Sequence, residues 1–225
     1  MDIHLHYREE GSGYPLILLR GNNESSAYFF HQIKFFSKFY RVIAVDTRGH
    51  GFSPRGTAEF TLVQFAEDLH DFMDERGIDK AHILGFSDGA NVALLLALKY
   101  PEWVERLILN GADLDTGGVK ASVQIPIEIA YGINHYLAGK SSTAGKKAEM
   151  LGLMHDQPNI NPRELGKLEI RTLVIAGTKD MIKESHTRLI FESLPNAVLK
   201  FIQGNHFIAA KNPGAFNRAV KEFLE

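Results

Sequence analysis

Short aliphatic runs recur along this chain, separated by stretches with a helical apolar period. The runs cover residues 16–19, 42–45, 81–84, 106–109, 172–176 and 197–202. Each is too short for a buried helix and too continuously apolar for a strand with one wet face. They predict strands of a parallel sheet buried on both sides. Residues 3–7 alternate instead, which predicts an antiparallel edge strand before the Gly11-Ser12-Gly13 turn.

The intervening segments read as amphipathic helices. Thr61 and Gln64 form a capping box. Leu62, Phe65, Ala66, Leu69, Phe72 and Met73 then share one apolar face, and Gly77 supplies the stop. Segments 26–39 and 213–224 follow the same pattern. Strand and helix in alternation predict an α/β fold, a doubly wound and mostly parallel sheet of about seven strands. The rhythm breaks over roughly 112–168, where Gly117-Gly118, Pro126, Gly132, Gly139 and the segment 159–162 interrupt short helical patches. Within it, Asn161-Pro162 has the form of an N-cap followed by proline at the first helical position. This stretch is expected to be a short helical lid crossing the carboxyl edge of the sheet, an insertion within a single domain spanning 1–225.

Composition narrows the function classes. At 225 residues, 44% hydrophobic and 23% charged, the chain has the makeup of a globular domain with a sizeable core. A net charge of −2 gives no electrostatic case for nucleic acid or for an anionic membrane. No apolar run is long enough to span a bilayer, and the first residues lack the layout of a signal peptide. Without cysteine there is no disulfide frame and no thiolate nucleophile or ligand. The expectation is a cytoplasmic protein, monomer or homodimer, with a small-molecule substrate, no nucleic-acid or membrane partner, no cofactor and no metal.

The chemistry is concentrated in Gly85-Phe86-Ser87-Asp88-Gly89, between an aliphatic strand run and a long apolar helix. A serine on a tight strand-to-helix turn, with glycine two positions to either side, is the pattern of a nucleophile elbow. Its hydroxyl needs a base to take the proton, expected from another loop at the same sheet edge. His206 follows the last strand run in Gln203-Gly204-Asn205-His206, and Asp180 follows the preceding one. Asp113, after the run ending at residue 109, is the main alternative for the acid, with Asp115 a weaker one. An oxyanion hole requires two fixed donors: the N–H of Asp88 and, from the Arg20-Gly21-Asn22-Asn23 loop, that of Asn22.

Taken in order, Arg20-Gly21-Asn22, Asp46-Thr47-Arg48-Gly49-His50-Gly51, Gly85-Phe86-Ser87-Asp88-Gly89, Gly177-Thr178-Lys179-Asp180 and Gly204-Asn205-His206 make the chain resemble the α/β-hydrolase-fold superfamily, in particular its small bacterial esterase-like members. The resemblance spans nearly the whole length. It implies the chain order nucleophile, acid, histidine, here Ser87, Asp180 and His206. The implied activity is cofactor-independent hydrolysis of a small ester, thioester or lactone-like acyl compound. Carbon–carbon hydrolysis, a lyase step, perhydrolysis or a ligand-receptor role on the same fold are the alternatives. Three departures stand out: Arg20 replaces the family's usual histidine, the usual first strand is not evident, and the lid is short, which predicts an open site. Arg20 is expected to brace its loop through an ion pair, with binding of a substrate carboxylate as the alternative. Tyr131, His135 and Met154 are candidates to line the substrate pocket, beside Tyr136, Met150 and His155. His50 is expected to be structural, His4 and His6 to sit on a solvated edge rather than on a metal, and the Asp88 side chain to be exposed or a local cap.

Overall fold

The computed structural model describes residues 2–225. Seven strands form one sheet: β1 (Tyr7–Glu10), β2 (Pro15–Leu19), β3 (Arg41–Val45), β4 (Ala81–Phe86), β5 (Val104–Asn110), β6 (Thr172–Gly177) and β7 (Ala197–Ile202). They lie in the order β1-β3-β2-β4-β5-β6-β7. Only β1 runs antiparallel, pairing Tyr7 with Val45 and Glu10 with Val42. The central strands β2 and β4 are buried nearly throughout, as their mostly apolar runs predict. By contrast, β7 alternates half-buried and exposed positions and so has one wet face.

The antiparallel edge strand lies further along than the alternation of residues 3–7 predicts. Ile3 and Leu5 are buried in the core without joining the ladder. The cause is at Asp2, whose carboxylate accepts from Arg48 Nη2 (2.5 Å), Thr57 N (2.6 Å) and Ala58 N (3.2 Å). Those bonds anchor the N-terminal segment to the loop before the next helix, so its apolar residues serve packing rather than pairing.

Nine helices flank the sheet among the described residues: α1 (Phe30–Phe36), α2 (Leu62–Glu75), α3 (Asp88–Lys99), α4 (Ala121–Leu137), α5 (Ser142–His155), α6 (Pro162–Leu165), α7 (Glu184–Ser193), α8 (Ile208–Lys211) and α9 (Pro213–Leu224). Alternate strand residues feed two cores. Ile17, Ile83 and Leu107 pack with Phe65, Leu69 and Leu94 of α2 and α3 on one face. Leu16, Leu84 and Ile108 pack with Phe36, Phe216 and Val220 of α1 and α9 on the other. The predicted Thr61 cap is present, its side chain accepting from Gln64 N. The segment 26–39 forms a 3₁₀ turn, Ser26–Phe29, before α1 rather than one continuous helix.

Between β5 and β6 the chain builds α4, α5 and α6. Pro126 and Gly132, read as interruptions, both lie inside the seventeen-residue α4. Proline is tolerated there because its missing N–H would have bonded Ser122 O, and both residues are on the exposed face where water replaces the lost donor. Asn161 caps α6 with Pro162 at the first position, as expected. Lys120 N donates to Met181 O (2.9 Å) and Ile160 N to Leu114 O (2.9 Å), so both ends of the α4–α5 pair are tied to the sheet's carboxyl edge. No helix among the described residues is long and apolar enough to cross a membrane.

Candidate active site

At the carboxyl end of β4 the backbone turns abruptly into α3, and Ser87 takes up the turn at φ 53°, ψ −124°. Such a conformation in a non-glycine residue stores strain and persists only where the surroundings enforce it. Here they do. A Cβ on Gly85 would lie 2.2 Å from Gly89 O, and one on Gly89 would lie 2.2 Å from Leu19 O. The two glycines therefore let α3 press against β4 and β2. Ser87 N is held by Asn110 O at 2.8 Å. Asp88 opens α3, so its N–H has no acceptor within the helix.

The loop after β2 passes directly over this turn, with the Cβ position of Gly21 only 3.2 Å from Ser87 Cβ. Asn22 Nδ2 donates to Met150 O of α5 at 2.8 Å, fixing the loop to the lid. Arg20 is buried beneath it, and Nη1 donates to Gly21 O at 2.5 Å. The expected bracing role is thus carried by a backbone carbonyl, not by a contact ion pair. Burial lowers the Arg20 guanidinium to about 9, opposed by the nearby charges of Asp88, Asp46 and Glu24.

His206 and Asp180 come together from the loops after β7 and β6. Nδ1–H of His206 donates to Asp180 Oδ1 at 2.6 Å, and both side chains are buried. Asp180 also accepts from Ile182 N (3.0 Å) and Gly177 N (3.2 Å). Burial alone would raise its pKa, but the His206 bond and charge, with those two N–H groups, hold it below the usual carboxylate value. His206 Nε2, on the far side of the ring from Asp180, is buried and free of hydrogen bonds. Phe86, the residue before Ser87, packs its ring 4.9 Å from the imidazole. Gly111, at φ 64°, leaves room for it, since a Cβ there would lie 2.6 Å from His206 Cε1.

Asp113, the alternative acid, does not reach His206. Its Oδ1 accepts from Asn91 Nδ2 at 3.0 Å, and Asp113 N donates to Asn91 Oδ1 at 3.1 Å. It nevertheless shares a cavity with Ser87. That cavity, of about 20 Å³, is lined by Ser87, Asp88, Asp113, Gln124, Met154, Gln157, Met181 and Ile182 among others. The expected openness is corrected: α4, α5 and the segment after them close over Ser87. The Asp88 side chain is also buried rather than exposed, with Oδ2 lacking a hydrogen-bond partner. Burial pushes its carboxyl up to about 6, against the pull of Arg20, Asn22 and His206. Burial likewise raises Asp113 to about 7, with Asn91 opposing and the Asp88 and Asp115 charges adding to it.

Of the predicted lining residues, Met154 reaches this cavity. Tyr131 and His135 line a different cleft between α4 and α5, where Tyr131 stacks on His155 at 4.1 Å. Arg20 lies behind the loop and lines neither space. Gln124 and Gln157 escaped the sequence reading because neither residue type nor spacing marks them. Tyr28, stacked on Phe86 at 4.4 Å, escaped it as one aromatic among many. His50 is buried, its Nδ1 2.9 Å from Arg48 O, and has the structural place expected. His6 is tied by Nδ1 to Asp46 at 2.9 Å.

The profile of the alpha/beta hydrolase fold family matches residues 14–128, just over half of the chain. The chain belongs to that family. It is 26% identical over 247 residues to the mouse (Mus musculus) protein named serine hydrolase BPHL, covering 99% of this chain and 84% of that one. It is 28% identical over 257 residues to a 2-hydroxymuconate semialdehyde hydrolase of Pseudomonas putida, covering 96% and 89%. Among solved structures, a hydrolase from Pseudomonas aeruginosa PA01 superposes with a TM-score of 0.81 at 26% identity, over 99% of this chain and 94% of that one.

Proposed function

We propose that this protein is a serine hydrolase that cleaves a small ester, thioester or lactone-like acyl substrate through an acyl-enzyme on Ser87. The observation that carries the reading is the strained Ser87 turn, whose preceding residue Phe86 packs on the imidazole of a buried His206–Asp180 pair with Nε2 unengaged. Family membership and the hydrolase names of its relatives support the same class.

In this mechanism Ser87 Oγ attacks the carbonyl carbon while His206 Nε2 takes its proton. Asp180 keeps the proton on Nδ1 and steadies the imidazolium that forms. The N–H groups of Asn22 and Asp88 receive the negative charge on the carbonyl oxygen. His206 then returns the proton to the departing alcohol or thiol, and water releases the acyl group by the same steps in reverse order. The cavity at Ser87 holds one small group, and two buried acceptors at its lining, Asp88 Oδ2 and Gln124 Oε1, have no donor. That arrangement favours a substrate with a hydroxyl or amino group close to the scissile carbonyl.

The test is Ser87→Ala against a panel of esters graded in chain length, beside labelling with a fluorophosphonate. Turnover should fall by on the order of 10⁶, and the label should attach to Ser87 alone. Retention of most activity by the alanine variant on every ester would end the proposal. An acyl-Ser87 adduct seen by mass spectrometry distinguishes this route from carbon–carbon hydrolysis in which the serine acts without acylation.

A further inference from the structure

A second, larger cleft adjoins the site. It has a volume of about 600 Å³ and lies between the α4–α5 pair and the loop after β2. That is within the range of about 300–1,000 Å³ usual for small-molecule sites. Its apolar wall comes from Ala130, Met150, Leu151 and Met154. Met154 also lines the small cavity at Ser87, so the two spaces share a wall residue. Asn22 of the loop over Ser87 forms part of the same cleft.

The charge lining this cleft is of one sign. Lys146 and Lys147, both exposed, border it, and no acidic residue does. Among the described residues neither lysine is within ion-pair distance of a carboxylate. Glu149, the nearest acid on α5, is occupied by Arg55 at 2.6 Å, outside the cleft lining. Exposed lysines beside methionine and leucine make a cleft that is apolar along its wall and cationic at its border.

We infer that this cleft binds the larger end of the substrate, and that this end is an amphiphilic anion: an apolar body with a terminal carboxylate or phosphate held by Lys146 and Lys147. The inference rests on the hydrolase reading, because it takes Ser87 as the reacting end of the same ligand. The methionines accommodate a flexible chain, and the lysines select its charge. Exposed ion pairs contribute little individually, so two together give about a tenfold preference for the anion over its neutral analogue.

The experiment separates binding from chemistry. Calorimetric titration of the Ser87→Ala protein with nonanoate, nonyl phosphate, 1-nonanol and nonyltrimethylammonium should give the order anion, alcohol, cation. Nonanoate against nonyl phosphate decides which anionic head is preferred. Adding Lys146→Gln with Lys147→Gln should abolish the preference, and Lys146→Glu with Lys147→Glu should reverse it towards the cation. Met150→Trp, which fills the cleft, should remove binding of all four. Equal affinity for nonanoate and 1-nonanol, or an anion preference unchanged in both double variants, would overturn the inference. Such a result leaves Ser87 untouched. Conversely, loss of the hydrolase reading would appear as activity surviving Ser87→Ala, whatever the titrations give.

Discussion

Asp113→Asn isolates the electrostatic character of the cavity at Ser87. The substitution keeps an oxygen for Asn91 Nδ2 and removes only the ionisable group. In the folded protein burial first, then the Asp88 and Asp115 charges, raise this carboxyl from 3.8 to about 7. Below pH of about 4 it is protonated in both folded and unfolded chains and contributes no pH dependence. As pH rises from there, the unfolded chain releases the proton and the folded chain retains it. The folded state then binds more protons, so stability falls with pH until the folded group ionises near 7. At about 1.4 kcal/mol per unit, three units amount to about 4 kcal/mol, an upper limit because water entry and relaxation relieve part of it. Urea denaturation of both proteins at pH 5 and pH 8 measures this. The variant should gain relative to the original chain at pH 8 by up to about 3 kcal/mol more than at pH 5. An identical difference at the two pH values would show that Asp113 is ionised throughout, and that burial does not control its proton.

His206→Ala should reduce ester turnover nearly as far as Ser87→Ala, and Asp180→Asn by about 10⁴, because the amide stabilises the wrong imidazole tautomer; steady-state kinetics on one ester checks both. Gly89→Ala should destabilise the fold by at least about 2 kcal/mol through overpacking against Leu19 O, read as a lowered urea midpoint together with slower fluorophosphonate labelling. Arg20→Met should push the Asp88 carboxyl above its value of about 6, since the guanidinium is the largest influence holding it down. A double-mutant cycle with Asp88→Asn, followed by stability at pH 8, should give a coupling of roughly 0.5–3 kcal/mol, and strict additivity would show that the two groups do not sense each other.

Much of this geometry is legible in the chain because it depends on local chemistry. Short, mostly apolar runs of four to six residues locate six strands, though β7 alternates with one wet face rather than being buried on both. The spacing of Gly85, Ser87 and Gly89 locates the turn whose close approach demands glycine. Asp180 and His206 stand in the loops after β6 and β7, where strand order and the resemblance together point. The lid is less legible. Pro126 and Gly132 are helix breakers by propensity, yet α4 runs through both on its solvent side, where tertiary ties at its ends outweigh the local cost. Ile3 and Leu5 mislead for a related reason, because alternation records burial without revealing whether the burying partner is a neighbouring strand or a helix face.

Arg20 and Asp88 belong together, and neither is intelligible alone. Asp88 follows Ser87 directly, so the turn that strains Ser87 also buries a carboxyl beside it. Ionised at neutral pH, that carboxylate would, in the proposed mechanism, oppose the negative charge that grows on a substrate oxygen next to it. A buried guanidinium behind the loop after β2 supplies the compensating charge, and Asp88 is the strongest of the anions holding Arg20 protonated. A histidine at position 20 could not do this, since burial would leave the imidazole neutral, as it does at His50, which burial lowers to about 3. Arginine at the head of the loop after β2 thus compensates the buried aspartate that follows Ser87. The pairing joins positions sixty-eight residues apart, which is why the sequence shows two unrelated departures where the folded protein contains one electrostatic unit.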